Sequence, residues 1–121
     1  MSELYTQSLL SYWDPNLRGF NHEGYTHQAS DTSKMCGDEV EFRAILKDGL
    51  LEVVDVWARG CCVSECCASM LAELARGKPL TWLDTFYDQD WVNYVNIPVA
   101  ENRKQSCLML PLRCLRKAFT D

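Results

Sequence analysis

The chain is short of positive charge. Against 17 Asp and Glu it carries 12 Lys and Arg, a net charge of -5, so it lacks the cationic excess that neutralises phosphates. A nucleic-acid partner is therefore not expected. There is no run of 18 apolar residues, so no membrane-spanning helix is expected. The first residues hold Glu3 and no basic stretch ahead of an apolar one, so they do not read as a secretory signal. A cytoplasmic setting, where thiols stay reduced, is the expectation. Internal repeats and low-complexity tracts are absent, and 121 residues suffice for one compact domain but not two.

Cysteine, by contrast, is abundant. There are seven: Cys36, Cys61, Cys62, Cys66, Cys67, Cys107 and Cys114. An odd number without a secretory signal does not read as a disulfide framework. Metal binding, sulfur chemistry and simple burial as small hydrophobes remain.

The punctuation of the chain places them. Leu4 to Tyr12 reads as a short helix, broken by the Asp14-Pro15 to Gly19 stretch. Phe20 to Lys34 is polar, holds both histidines and reads as a long loop. From Glu39, apolar Val40, Phe42, Ala44 and Leu46 alternate with their neighbours, and Asp48-Gly49 follows. Leu50 to Ala58 is rich in Leu and Val. Strand, Asp-Gly turn and strand predict a hairpin. Its second strand is apolar on both sides, with Leu51, Val53 and Trp57 opposed to Leu50, Val54 and Val56, which suggests cover on both faces.

Val63 to Arg76 carries Ala68, Leu71, Leu74 and Ala75 at helical spacing, with Gly77 as its stop and Pro79 beyond. Leu80 to Tyr87 reads as a second short helix, and Asp88 to Gln105 as irregular. The last helix is predicted from about Cys107 to Phe119, because Pro111 belongs near a helix start.

On this outline Cys36, Cys61 and Cys107 all fall at element ends. Cys61 and Cys107 are expected at helix N-termini, where the dipole and open N–H groups favour thiolate. Cys114 is mid-helix, between Leu112 and Leu115, and reads as packing.

Three segments carry a resemblance. They are Met35-Cys36-Gly37-Asp38-Glu39-Val40, Gly60-Cys61 with a helix ending Glu73-Leu74-Ala75-Arg76-Gly77-Lys78-Pro79-Leu80, and Ser106-Cys107-Leu108-Met109-Leu110. In this order they resemble the iron–sulfur cluster assembly scaffold family, of the IscU, SufU and NifU N-terminal type. The likeness spans about residues 10 to 119, and the whole of 1–121 is expected to be one such domain. It implies an α+β fold, a small antiparallel sheet of about three strands flanked by helices. It implies a site of Cys36, Asp38, Cys61 and Cys107 around a transient [2Fe-2S] cluster or a Zn2+ ion.

The chemistry of that set is coherent. Three thiolates and a carboxylate satisfy a tetrahedral ion. One hard carboxylate beside three soft sulfurs gives a weaker arm, suited to a cluster that must be handed on. The resemblance implies a cysteine desulfurase as sulfur donor and apo iron–sulfur proteins as recipients. Cys107 is the expected persulfide acceptor and Cys36 the runner-up. The role is that of a scaffold rather than an enzyme, with sulfur transfer as the alternative: a zinc-bound, SufU-like partner that accepts persulfide and builds no cluster.

The chain departs from the family in several places. Ser106 stands where many scaffolds have His, as in the SufU branch, yet the insertion associated with SufU is missing between Cys61 and Cys107. The Leu-Pro-Pro-Val-Lys motif recognised by a specialised Hsp70-type chaperone is not intact in Ile97 to Gln105, although Lys104 holds the place of its lysine. That argues against dependence on such a chaperone. Cys62, Cys66 and Cys67 replace small residues. They are read mainly as packing, with a sulfur relay led by Cys62 as the sharper alternative. His22 and His27 read as solvated loop residues. Glu65 and Glu73 read as solvent-facing, and the tryptophans Trp13, Trp57, Trp82 and Trp91 as core or anchors. Arg103, Lys104, Arg113, Arg116 and Lys117, against Asp121 alone, read as a solvated face or as a docking patch for an acidic partner surface.

Overall fold

A computed structural model describes residues 12, 19–33, 37–95 and 102–120, with the side chains of residues 62 and 102–106 outside the description. The elements in order are β1 (His27–Ser33), β2 (Asp38–Lys47), β3 (Leu50–Arg59), α1 (Cys62–Ala75), α2 (Thr81–Thr85), α3 (Asp88–Val95) and α4 (Asn102–Ala118). The strands form one antiparallel sheet in the order β1-β2-β3. The expected helix at Leu4 to Tyr12 lies outside the described residues apart from Tyr12, as does most of the Asp14 to Gly19 breaker. Cys36, Trp13 and Pro98 also lie outside them.

The hairpin forms where the alternation predicts it. Asp48 and Gly49 both take positive φ, 55° and 77°, which a two-residue turn matched to the strand twist requires. Val40, Phe42 and Ala44 pair with Ala58, Val56 and Val54, and this face is buried. The register shifts between Ile45 and Leu46, leaving Glu52 as an extra residue on β3. That bulge turns Leu51 onto the buried face and leaves Leu50 exposed, which corrects the side assignment made from alternation alone. The opposite face is only partly covered: Asp55 is buried, but Trp57 is 39% exposed and so is neither core nor anchor.

α1 and α4 pack on the buried face. Val63, Cys66, Cys67 and Leu71 of α1 and Leu108, Leu112 and Leu115 of α4 join the sheet residues in one core. The open edge of β3 is sealed by Gly19 N on Val56 O at 2.7 Å, Arg76 Nε on Val54 O at 3.1 Å and Gly77 N on Leu51 O at 2.7 Å. Unpaired edge groups are thereby removed from aggregation.

Three further sequence expectations, about the elements themselves, are corrected. His27–Ser33 is a strand, not part of a loop. Its inward positions are His27, Ala29, Asp31 and Ser33, so no apolar alternation advertises it. Asp88–Val95 is a helix, started where Asp90 accepts from Tyr87 N at 2.9 Å and anchored by buried Trp91 and Val95 one turn apart.

The third correction concerns α4, which begins at Asn102 rather than near Cys107, so Pro111 sits inside it. Proline withholds the N–H that would bond the carbonyl four residues back, that of Cys107. Ser64 Oγ reaches that carbonyl at 3.4 Å, and Trp91 Nε1 donates to the next one, Leu108 O, at 2.8 Å. The Trp91 donor from α3 thus serves a carbonyl beside the irregularity, and the Ser64 hydroxyl of α1 stands near the other. Among the described residues no helix is long and apolar enough to cross a membrane.

Candidate metal centre

The hairpin register places Glu39 opposite Arg59, so Asp38 at the start of β2 meets Gly60 and Cys61 as β3 ends. Contact is close enough to demand glycine. Gly60 has φ 149°, and a Cβ there would stand 2.1 Å from Asp38 Oδ1. Gly60 N bonds Glu65 Oε2 at 3.1 Å, so Glu65, expected merely to face solvent, ties the turn to α1.

Cys61 is the N-cap of α1, and its sulfur accepts from Ser64 N at 3.4 Å. The expectation that Cys61 opens a helix therefore holds. Cys107 differs. It lies in the second turn of α4 and is 1% exposed, so the helix-terminus argument for its thiolate is lost, since the dipole's influence fades beyond the first turn.

Three side chains converge on one carboxylate. Asp38 Oδ2 accepts from Cys107 Sγ at 3.0 Å, from Cys61 Sγ at 3.4 Å and from Ser64 Oγ at 2.7 Å. Asp38 Oδ1 accepts from Cys61 N at 2.9 Å. Burial pushes the Asp38 carboxyl up, but the donors from Cys107, Ser64 and Cys61 outweigh it and hold the group below the usual carboxylate range. One ligand atom from each of Asp38, Cys61 and Cys107 lies within 4.8 Å of the others. Two sulfurs and a carboxylate oxygen at that spacing suit a tetrahedral metal with one corner open. Cys36, the fourth expected ligand, lies outside the described residues, two positions before Asp38 in the chain.

Among the described residues, Cys66, Cys67 and Cys114 fall outside this group. Cys66 and Cys67 are fully buried in the core, in keeping with packing. Cys114 is buried, its sulfur on Ala29 O at 3.3 Å and Val40 O at 3.5 Å, and burial pushes its thiol up to about 12. The side chain of Cys62 lies outside the description.

Neither histidine joins the three ligands among the described residues. His22 Nδ1 is 2.8 Å from the buried Asp55, and His27 stacks on Phe119. Arg113 and Arg116 are bound within the chain, to Asp31 and Thr32 O and to Asp88 and Phe86 O, and Lys117 reaches Ser30 O. These contacts pin α4 to β1 and to the α2–α3 junction, while the side chains of Arg103 and Lys104 lie outside the description. The sequence reading missed Ser64, which touches all three site residues. Its position three residues after an N-cap cysteine was the available signal.

A carboxylate and two thiols gathered at one end of a three-stranded sheet under two helices define an α+β protein with a candidate metal site. The family model of the NifU-like N terminal domain matches residues 4–121, and the chain belongs to that family. No curated protein sequence matches the chain. Crystal structures that share the fold include the following two. A candidate iron–sulfur cluster assembly scaffold protein for the SUF system, from Fervidobacterium islandicum AW-1, superposes with TM-score 0.74 at 18% identity, covering 97% of each chain. A nitrogen-fixing NifU-like protein (N-terminal) from Brucella abortus gives TM-score 0.70 at 17% identity, over 96% of this chain and 92% of that one.

Proposed function

We propose that the chain, acting as one domain over residues 1–121, is a scaffold on which a [2Fe-2S] cluster is assembled and from which it is passed on. Membership of the NifU-like N-terminal family supports the scaffold role. The observation that carries the site is the meeting of Asp38, Cys61 and Cys107, with their ligand atoms within 4.8 Å. Cys36 completes the set in this reading. Asp38 is the hard donor among soft ones, the arm that gives way when the cluster leaves. The sulfur donor is a cysteine desulfurase, and the recipients are apo iron–sulfur proteins.

A second reading has the same residues hold Zn2+ while the protein accepts persulfide sulfur without building a cluster. The spacing is compatible with this reading as well. Ligand sulfurs on one tetrahedral zinc sit about 3.8 Å apart, given Zn–S bonds of about 2.3 Å. Anaerobic incubation with ferrous iron, cysteine and a cysteine desulfurase separates the two. The scaffold reading expects iron and sulfide bound in equal amounts with visible charge-transfer bands, lost in Cys61→Ser. Persulfide uptake on the zinc-loaded chain, with no bands, establishes the second reading instead.

A further inference from the structure

We propose that Ser64 is the positioning residue that holds the Asp38 carboxylate in its metal-binding orientation. The inference rests on the reading of Asp38, Cys61 and Cys107 as metal ligands and adds a residue that is not itself a ligand.

Ser64 has no solvent exposure and sits near Val63, Cys66, Cys67 and Ala68, all buried in the core. A hydroxyl in such a place is costly unless bonded. It owns one proton and has two acceptors in reach, Asp38 Oδ2 at 2.7 Å and Cys107 O at 3.4 Å. The shorter, charge-assisted bond takes the proton. Its lone pairs face the Cys61 thiol at 3.6 Å.

The donors around Asp38 fall into two kinds. Cys61 and Cys107 can donate only while they are thiols, and a metal binds them as thiolates. Loading the site therefore abolishes both sulfur-to-carboxylate hydrogen bonds. What remains is Cys61 N on Oδ1 and Ser64 Oγ on Oδ2, one donor per oxygen, both from the N-terminal end of α1. Two fixed donors on two oxygens set the plane of the carboxylate. Without Ser64, Oδ2 loses the one donor among the described residues that survives loading.

Two effects oppose each other. A hydrogen bond draws electron density from the carboxylate and weakens it as a ligand. The same bond keeps the carboxylate oriented and ionised before the metal arrives. Outer-shell partners of metal ligands are usually worth about 10- to 100-fold in affinity, so orientation is the larger effect.

Ser64→Ala removes the hydroxyl and leaves the Ser64 N bond to Cys61 Sγ, so the helix cap is retained. The test is Zn2+ affinity by chelator competition on the full chain, with Co2+ absorption as a report on the donor set. Ser64→Ala should weaken Zn2+ by about 10- to 100-fold and alter the Co2+ spectrum. Asp38→Ala should weaken it at least as much, and the double variant no more than Asp38→Ala alone, because Ser64 acts only through Asp38. Wild-type affinity in Ser64→Ala, tighter binding, or losses that add in the double variant would each overturn the proposal. If Asp38→Ala itself binds Zn2+ normally, the ligand reading of Asp38 fails and this inference fails with it, a pattern distinct from failure of Ser64 alone.

A second measurement needs no Ser64 variant. The Ser64 hydroxyl proton should appear by NMR as a slowly exchanging resonance in the wild-type chain. It should persist when Zn2+ is bound and vanish in Asp38→Ala. Loss of that resonance on Zn2+ binding would show that the hydroxyl leaves Asp38 when the metal arrives, and would overturn the proposal.

Discussion

Gly60 leaves open the space that Asp38 fills: an added Cβ would lie 2.1 Å from Asp38 Oδ1 and 2.6 Å from its Cγ. Both atoms belong to a side chain held by four donors, so it cannot swing away without breaking them. Gly60→Ala should therefore cost about 1–3 kcal/mol in backbone strain and also displace the carboxylate, with loss of Zn2+ affinity. Gly49→Ala is the control. It has positive φ but open space, so it should cost about 1 kcal/mol and leave Zn2+ affinity unchanged. Thermal unfolding and Zn2+ titration of the two variants check this; normal Zn2+ binding by Gly60→Ala would refute it.

The hairpin, α1 and most of α4 were legible because their residues follow the periods of strand and helix and end at Asp48-Gly49 and Gly77. β1 was not. It is an edge strand whose inward side is filled by His27, Asp31 and Ser33, and its cover comes from Arg113, Cys114 and Lys117 on distant α4. α3 has two buried anchors in eight residues, too few to register as a period. The true start of α4 was hidden by Pro111, whose usual place is a helix start but which lies here inside a helix held by its packing on the sheet and α1. Asp38, Cys61 and Cys107 were legible through the family resemblance. Ser64 was not, because a small polar residue in a helix has no spacing signature until its partners are known.

Thiol reactivity should sort by burial. Among the described cysteines, Cys61 alone is partly exposed, while Cys66, Cys67, Cys107 and Cys114 are buried. Alkylation of the metal-free native chain at mildly alkaline pH should modify Cys61 well before those four. Cys114, its thiol pushed up to about 12, should react only after unfolding. Peptide mapping over time checks this, and early labelling of Cys114 would contradict the packing described for it.

Asp55 supplies an acid-sensitive contact away from the metal site. Burial raises its pKa, but donors from Tyr25 at 2.6 Å, His22 at 2.8 Å and Asn21 N at 3.2 Å bring it below the usual value. A folded pKa below the unfolded one gives stability that is present above the unfolded carboxylate value, about 3.9, and lost as pH falls through the folded value. Asp55→Asn should cost about 1–3 kcal/mol at pH 7. The gap to wild type should narrow below about pH 4. Urea midpoints across that range give the answer; a gap that stays constant would mean that the Asp55 charge contributes nothing.

The last prediction concerns where sulfur lands. Transfer requires a thiolate here to attack the outer sulfur of a desulfurase persulfide. A new S–S bond forms, the donor's S–S bond breaks, and the donor cysteine leaves as a thiolate, so no outside oxidant is needed. Cys107, the acceptor expected from the sequence, is 1% exposed and donates to Asp38 at 3.0 Å. Reaching it requires α4 to separate from β2 and α1. Cys61 is partly exposed, at the N-cap of α1. In this conformation, and among the described residues, Cys61 is the more accessible acceptor. Brief exposure of the metal-free chain to persulfide-loaded desulfurase, followed by mass spectrometry, should show a one-sulfur adduct that is lost in Cys61→Ser and kept in Cys107→Ser. The reverse result would mean that the partner opens α4 and delivers to Cys107. An adduct lost only in Cys36→Ser would place the first acceptor on the segment just ahead of Asp38.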